Sequence, residues 1–316
     1  MVADNAPTQV QEVEVAEDQD GQRIDNFLAG RLKGVPRSRI YRILRKGEVR
    51  VNRGRVKPGH RLRAGDRVRI PPVREASRSA PTPPEQAVAR LAERVLYEDK
   101  QLLVLDKPSG MAVHGGSGLS YGVIEALRAA RPGAPYLELV HRLDRATSGC
   151  LVVAKRRSAL RALHAQLRAG QVDKRYLALV KGAWQGGERR VQAPLRKNTL
   201  QSGERVVRVQ EDGREALSWF RPITIYREAT LVEVRIATGR THQIRVHAAH
   251  LGHPLAGDEK YGDKDFNREM AARGLRRLFL HAGTVGFEHP AEPRRVEVHA
   301  PLEAELGNLL DRLETE

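Results

Sequence analysis

The sequence predicts a mixed α+β chain in two parts, a small basic module followed by a catalytic-sized domain. Three observations carry this. Residues 21–70 hold two short runs of helical periodicity and then short alternating strands; residues 71–84 read PPVREASRSAPTPP, with five prolines; and from about Leu91 strand-like and helical segments alternate to the end of the 316 residues. A chain of this length can bury a core without disulfide or metal staples.

Along the chain, residues 1–20 hold six acids and no base, offer little to bury, and read as an acidic disordered tail. The module spans 21–70. Ile24, Phe27, Leu28 and Leu32 recur at helical spacing, and Ile40, Tyr41, Ile43 and Leu44 repeat the pattern after the start signal Pro36 and Ser38, with Gly47 as the stop. Val49 and Val51 alternate with polar neighbours as a half-buried strand, 52–55 reads as a turn, and Val68 and Ile70 form a second strand after the turn at 64–66. Residues 71–90 are assigned to a semi-extended linker. In the catalytic domain, 91–316, strands are expected at 95–99, 101–106, 149–155, 175–182, 216–220, 229–236 and 295–301. Helices are expected near 122–130 and 158–167, the latter stopped by Gly170.

Charge is uneven. The chain carries 55 Lys+Arg against 39 Asp+Glu, a formal net of +16, and residues 21–80 alone hold 18 bases and four acids. Such clustering is the electrostatic footprint of a polyanion-binding module. Arg37, Arg39, Arg42, Arg45 and Lys46 crowd one helix, and Arg53 and Arg55 follow in the turn. Arg makes up 44 of the 55 bases, so compositional bias contributes, yet bias alone would not leave the first 20 residues without a base.

Several classes are disfavoured. One cysteine, Cys150, excludes a disulfide framework and Cys-based zinc motifs and points to a reducing compartment. No basic-then-apolar start resembles a secretory signal, and no window approaches a membrane span, so a soluble cytoplasmic protein is expected. Histidines cluster at 242, 247, 250 and 253 and invite a metal-hydrolase reading, but HExxH is absent and no metal site is assigned. The glycines of 114–118 match no phosphate-loop pattern.

Three segments could carry chemistry. In HRLDRATSG (141–149), before an apolar strand, Asp144 lies between Arg142 and Arg145, which would favour its anion and ready it as a nucleophile. A loop with a structural ion pair fits the same residues. In TGRTHQIRVH (238–247), Thr241 reads as a helix N-cap and Arg240 and Arg245 flank a helix N-terminus suited to phosphate or carboxylate. In KRYLAL (174–179), Tyr176 can face a base or fill the core.

These motifs, in this order and spacing, resemble the RluA family of pseudouridine synthases. Asp106-Lys107-Pro108-Ser109-Gly110 and Leu280-His281-Ala282 match its flanking motifs, and 21–70 is similar to the alpha-L RNA-binding module of ribosomal proteins. GQRIDNF, KGVPRSRIYRILRKGEVRVN, AVHGGSGLSYGVIEALR and QSGERVVRV resemble the RluC branch, which acts on large-subunit (23S) ribosomal RNA. The resemblance covers about 21–305. It implies a mainly antiparallel mixed sheet and isomerisation of uridines in 23S ribosomal RNA, free or in a large-subunit precursor, with no cofactor and nothing demanding more than a monomer. It implies Asp144 as nucleophile, Arg245 as its ion-pair partner, Tyr176 stacked on the target base and placed to handle a proton, and Arg142 entering the RNA stack as the uridine is flipped out. Arg240 joins the RNA contacts, Ile244, Leu280 and Leu103 are assigned to pocket walls, and the basic module is expected to hold RNA through phosphates and shape.

Overall fold

The computed structural model describes residues 9–32, 35, 37–73, 83–115, 119–199 and 204–314, which fall into two compact units, 1–82 and 83–316. The predicted Pro36 signal, residues 1–8 and 74–82, and the Arg37 side chain lie outside the described residues.

The first unit pairs helices Ile24–Arg31 and Arg37–Arg45 with a four-stranded antiparallel sheet. Ile24, Leu28, Ile40, Ile43 and Leu44 pack on Val49, Val51, Val68 and Ile70, so the predicted periodicities face one core. Two boundaries differ from expectation. The supposed acidic tail supplies strand Gln11–Glu14, antiparallel to Arg67–Ile70, and Val15 is buried in the core. Its registration sets Glu12 opposite Arg69 and Glu14 opposite Arg67, so the acids that argued for disorder are matched across strands, while Val13 and Val15 pack inward. At the other end Val73 is buried in the same core. The expected turn at 52–55 is tighter: Asn52 and Arg53 take left-handed φ of 48° and 68°, and Gly54–Arg55 already pairs back on Arg50–Val51.

The second unit is built on a ten-stranded mixed sheet. In spatial order run Arg189–Gln192, Leu217–Ile225, Ala229–Ile236, Asp173–Lys181, Leu280–Glu288, Ser148–Ala154, Leu102–Lys107 and Val95–Glu98, with Arg295–His299 added to Leu280–Glu288 and Glu138–Leu139 to Ser148–Ala154. Every pairing is antiparallel except that of Leu280–Glu288 with Ser148–Ala154, which is parallel at His281 to Ser148 and Ala282 to Gly149. Alternate residues of the strands separate the cores. Leu103, Leu105, Leu151, Val153, Ala178, Phe220 and Val234 meet helices Val123–Ala130 and Gln243–His250, whereas Val104, Val152 and Phe287 meet helix Arg157–Arg168. Helices Lys264–Ala272 and Ala304–Glu314, not foreseen from the sequence, bring Phe266, Met270, Leu306 and Leu309 onto Leu179 and Leu231. The end of the supposed linker is helix Glu85–Ala92, which starts directly after its N-cap Pro84 and turns Leu91 into the first of these cores.

Candidate active site

Residues 141–147 form the loop that feeds strand Ser148–Ala154, and the loop is gripped from behind. Ser109 Oγ donates to the Ala146 carbonyl at 2.8 Å, the Gly110 N–H donates to the Arg145 carbonyl at 2.8 Å, and Arg145 Nε returns a bond to the Gly110 carbonyl. Lys107 is fully buried and its ammonium donates to the carbonyls of Pro108, Met111 and Arg145. Burial lowers its pKa to about 7, while three acceptors hold its protons in place. The Asp106–Gly110 motif is therefore a mould for the Asp144 loop. Gly149, at φ 103°, is required by the parallel junction, because a Cβ there would lie 2.3 Å from the Ala282 carbonyl oxygen.

Asp144 opens into a pocket that also holds Arg142, Tyr176, Arg240, His242, Ile244, Arg245 and Leu280. The three motifs read from the sequence thus converge. Leu103, assigned to a wall, does not: it is wholly buried in the core behind, because its strand alternation turns it to the helices. Tyr176 is 8% exposed, and burial together with the Asp144 charge pushes its phenol well above the usual range. Arg142 and Arg240 are exposed at the pocket, the latter with Nε on the Glu215 carbonyl.

Two expected ion pairs are not formed. Arg145 turns to Gly110, as above, and Arg245 gives its guanidinium bidentately to Asp258 at 2.6 and 2.7 Å. Burial works against the Arg245 charge, but Asp258 outweighs it and, with Asp144 nearby, raises the pKa. Asp258 also accepts the N–H groups of Lys260 and Tyr261, so the 258–261 turn is shaped around the guanidinium, which lies over the Tyr261 ring at 5.0 Å.

Asp144 instead faces His242, Nε2 to Oδ2 at 3.9 Å. Thr241 was expected to cap helix Gln243–His250, yet the N-cap is His242, in left-handed backbone at φ 55°. The Gln243 side chain supplies the local bonds that Thr241 does not, accepting from Arg240 N–H and Thr238 Oγ1. Of the other histidines of the cluster, His250 is exposed and two serve packing. His247 bonds Ser218 Oγ and the Ala193 carbonyl, and His253 bonds the Lys181 carbonyl beside Trp184. Among the described residues no group of three or more His, Cys, Asp or Glu could hold a metal ion.

In the basic module Arg42, Arg45, Lys46, Arg53 and Arg55 are exposed and Arg39 is half-buried. The Arg55 side chain lies across Gly47, so the helix end and the hairpin join in one basic patch.

A pocket with one carboxylate, a tyrosine and three arginines, in a chain that also carries a basic module, narrows the comparison. A family profile described as RNA pseudouridylate synthase matches residues 101–250, and an S4 domain profile matches 22–68. Ribosomal large subunit pseudouridine synthase C of Escherichia coli strain K12 is 58% identical over 305 residues, 95% of this chain and 96% of that one. The chain belongs to the RNA pseudouridylate synthase family. Synthase C of Yersinia pestis is 56% identical, covering 95% of each chain. Among solved structures, human RNA Pseudouridylate Synthase Domain Containing 4 aligns with a TM-score of 0.61 at 26% identity, covering 73% of this chain and 97% of that chain. As a pseudouridylate synthase the protein is an RNA isomerase, with an α+β catalytic domain preceded by an S4 domain. Asp144, Tyr176, Arg142, Arg240 and Arg245 all fall inside the synthase match. Of the other residues at this synthase site, His242 stood out in the sequence only as part of the histidine cluster and Lys107 only within a flanking motif, while Asp258 and Tyr261 were assigned no role.

Proposed function

We propose that this chain isomerises uridines of large-subunit ribosomal RNA to pseudouridine, acting in the cytoplasm, with Asp144 as nucleophile. The carrying observation is the 58% identity to synthase C across nearly the whole of both chains, with Asp144 the carboxylate of the pocket that the shared motifs build. The reaction breaks the N1–C1′ bond of a uridine, turns the base and forms C5–C1′, with the same atoms in substrate and product. A glycosidase needs a second carboxylate to protonate its leaving group. Here the detached base remains and re-adds. Tyr176 offers a flat wall for the base, Arg142 at the pocket mouth fills the RNA stack after the uridine leaves it, and Arg245 holds positive charge beside the reacting carboxylate. The S4 domain supplies phosphate contacts through Arg42, Arg45, Lys46, Arg53 and Arg55.

Pseudouridine mapping of ribosomal RNA from cells with and without the gene is expected to show specific large-subunit positions that depend on it. Asp144→Asn is expected to abolish turnover in vitro while RNA binding persists. An active Asn variant would remove the nucleophile assignment.

A further inference from the structure

Resting on the isomerase reading above, we propose that His242 is a catalytic residue that moves the proton from C5 to N1 of the re-attached base. Isomerisation must take a proton from C5 and leave one on N1. Once C5 has bonded to C1′, that carbon is tetrahedral and the ring carries an N1=C6 double bond. The C5–H bond then breaks, its electron pair forms C5=C6, the N1=C6 pair moves onto N1, and the proton goes to His242 Nε2. The same Nε2–H delivers it to N1. C5 and N1 flank C6, so one ring nitrogen facing that edge serves both, and no outside reactant is needed.

The placement supports this. Asp144, as nucleophile, faces C1′, and re-attachment brings C5 to the same carbon. His242 Nε2 lies 3.9 Å from Asp144 Oδ2 and lines the same pocket, which puts it beside C5. The imidazole is fixed from its far side. Nδ1 bonds Tyr261 Oη at 2.8 Å, Tyr261 Oη also accepts the Val207 N–H at 2.9 Å, and the two rings meet edge to face at 5.5 Å. The residue holds left-handed backbone, φ 55° and ψ 22°, with no side-chain cap bond to account for it. Backbone strain of this kind is retained where the surrounding structure enforces it, often at active sites.

The charges around the ring agree with the role. Burial lowers the His242 pKa, and Arg245 and Lys260 add to that, against the opposing pull of Asp144 and Asp258. At neutral pH the ring therefore begins with a free lone pair, and the imidazolium formed on taking the proton faces the Asp144 carboxylate. Tyr176 is unsuited to this task, since burial and Asp144 keep its phenol protonated.

The test uses the full chain, ribosomal RNA fragments deuterated at C5 of the target uridine, and the same fragments carrying 5-fluorouridine, which has no C5 proton. His242→Asn keeps a side chain that tolerates left-handed backbone. Its turnover on uridine RNA is expected to fall about 100-fold, with a C5 isotope effect that the parent lacks, while cleavage and rejoining of 5-fluorouridine proceed at the parental rate. Tyr261→Phe removes only the hydroxyl that holds the ring, and a smaller loss with the same isotope effect is expected. Equal loss on both RNAs without an isotope effect, or unchanged turnover in either variant, overturns the proposal. If the His242 variant does not fold, the Tyr261→Phe isotope effect decides. A parent chain that forms no pseudouridine in ribosomal RNA defeats the underlying reading instead, so the two failures are distinct.

Discussion

His141 opens the catalytic loop, and its Nε2 accepts the Val152 N–H at 3.1 Å, a bond that protonation of the ring nitrogen destroys. Burial, with Lys174 adding, holds its pKa down to about 4, against about 6.5 in an unfolded chain. Between those values the unfolded state binds more protons, so this contribution to stability is complete above pH 6.5 and is lost as pH falls toward 4. The residue is partly exposed, which leaves a loss on the order of 2 kcal/mol. Urea unfolding at pH 7 and pH 4.5 measures it, and His141→Gln is expected to flatten the difference; a variant as acid-sensitive as the parent contradicts the assignment. Residues of this kind show how legible the site was. That the segments of Asp144, Tyr176 and Arg245 belong together could be read from the order of their motifs, and all three line one pocket. The partner of Arg245 could not, since Asp258 stands 13 residues on in a turn without periodicity, and the left-handed backbone of His242 comes from tertiary packing.

At the level of strands and helices, the parallel junction of Ser148–Ala154 with Leu280–Glu288 fixes where the Asp144 loop begins. Gly149→Ala at φ 103° would drive a methyl into the Ala282 carbonyl. The expected cost is about 3 kcal/mol or more, read as a fall in the urea midpoint with loss of turnover in proportion; an unchanged midpoint would show that the two strands can move apart freely. The apolar strands Leu102–Lys107 and Ser148–Ala154, buried along their whole length, were visible as unbroken apolar runs. Gln11–Glu14 was not, because three of its four residues are polar and its pairing partner lies more than 50 residues away. The hairpin of Leu195–Thr199 with Arg205–Val209 escaped for a similar reason: Arg196, Lys197 and Arg208 are exposed, and the buried Leu195, Val206 and Val207 are too few to show a pattern.

For the whole molecule, charge and chemistry reside in different units. The arginines of the pocket, Arg142, Arg240 and Arg245, lie outside the 21–80 block that holds most of the positive excess. Removal of residues 1–82 leaves the catalytic unit with its own cores. Ribosomal RNA affinity is then expected to drop and the slope of log affinity against log salt to flatten by about 0.9 for each phosphate that the missing arginines and lysines no longer neutralise, while turnover at saturating RNA is retained. Filter binding across a salt series, paired with single-turnover rates, measures both, and an unaltered slope would place RNA binding elsewhere. The two-part architecture was readable because composition changes sharply at the prolines; its limits were not, because each boundary is set by a side chain, Val15 and Val73, that a polar sequence context conceals. Strand Gln11–Glu14 has a practical corollary for shortened chains. One begun at Gly21, where the charge pattern invites the cut, would bare the hydrogen-bonding groups of Arg67–Ile70 and leave Arg67 and Arg69 without their facing glutamates, presenting a sticky free edge to which a second chain could add.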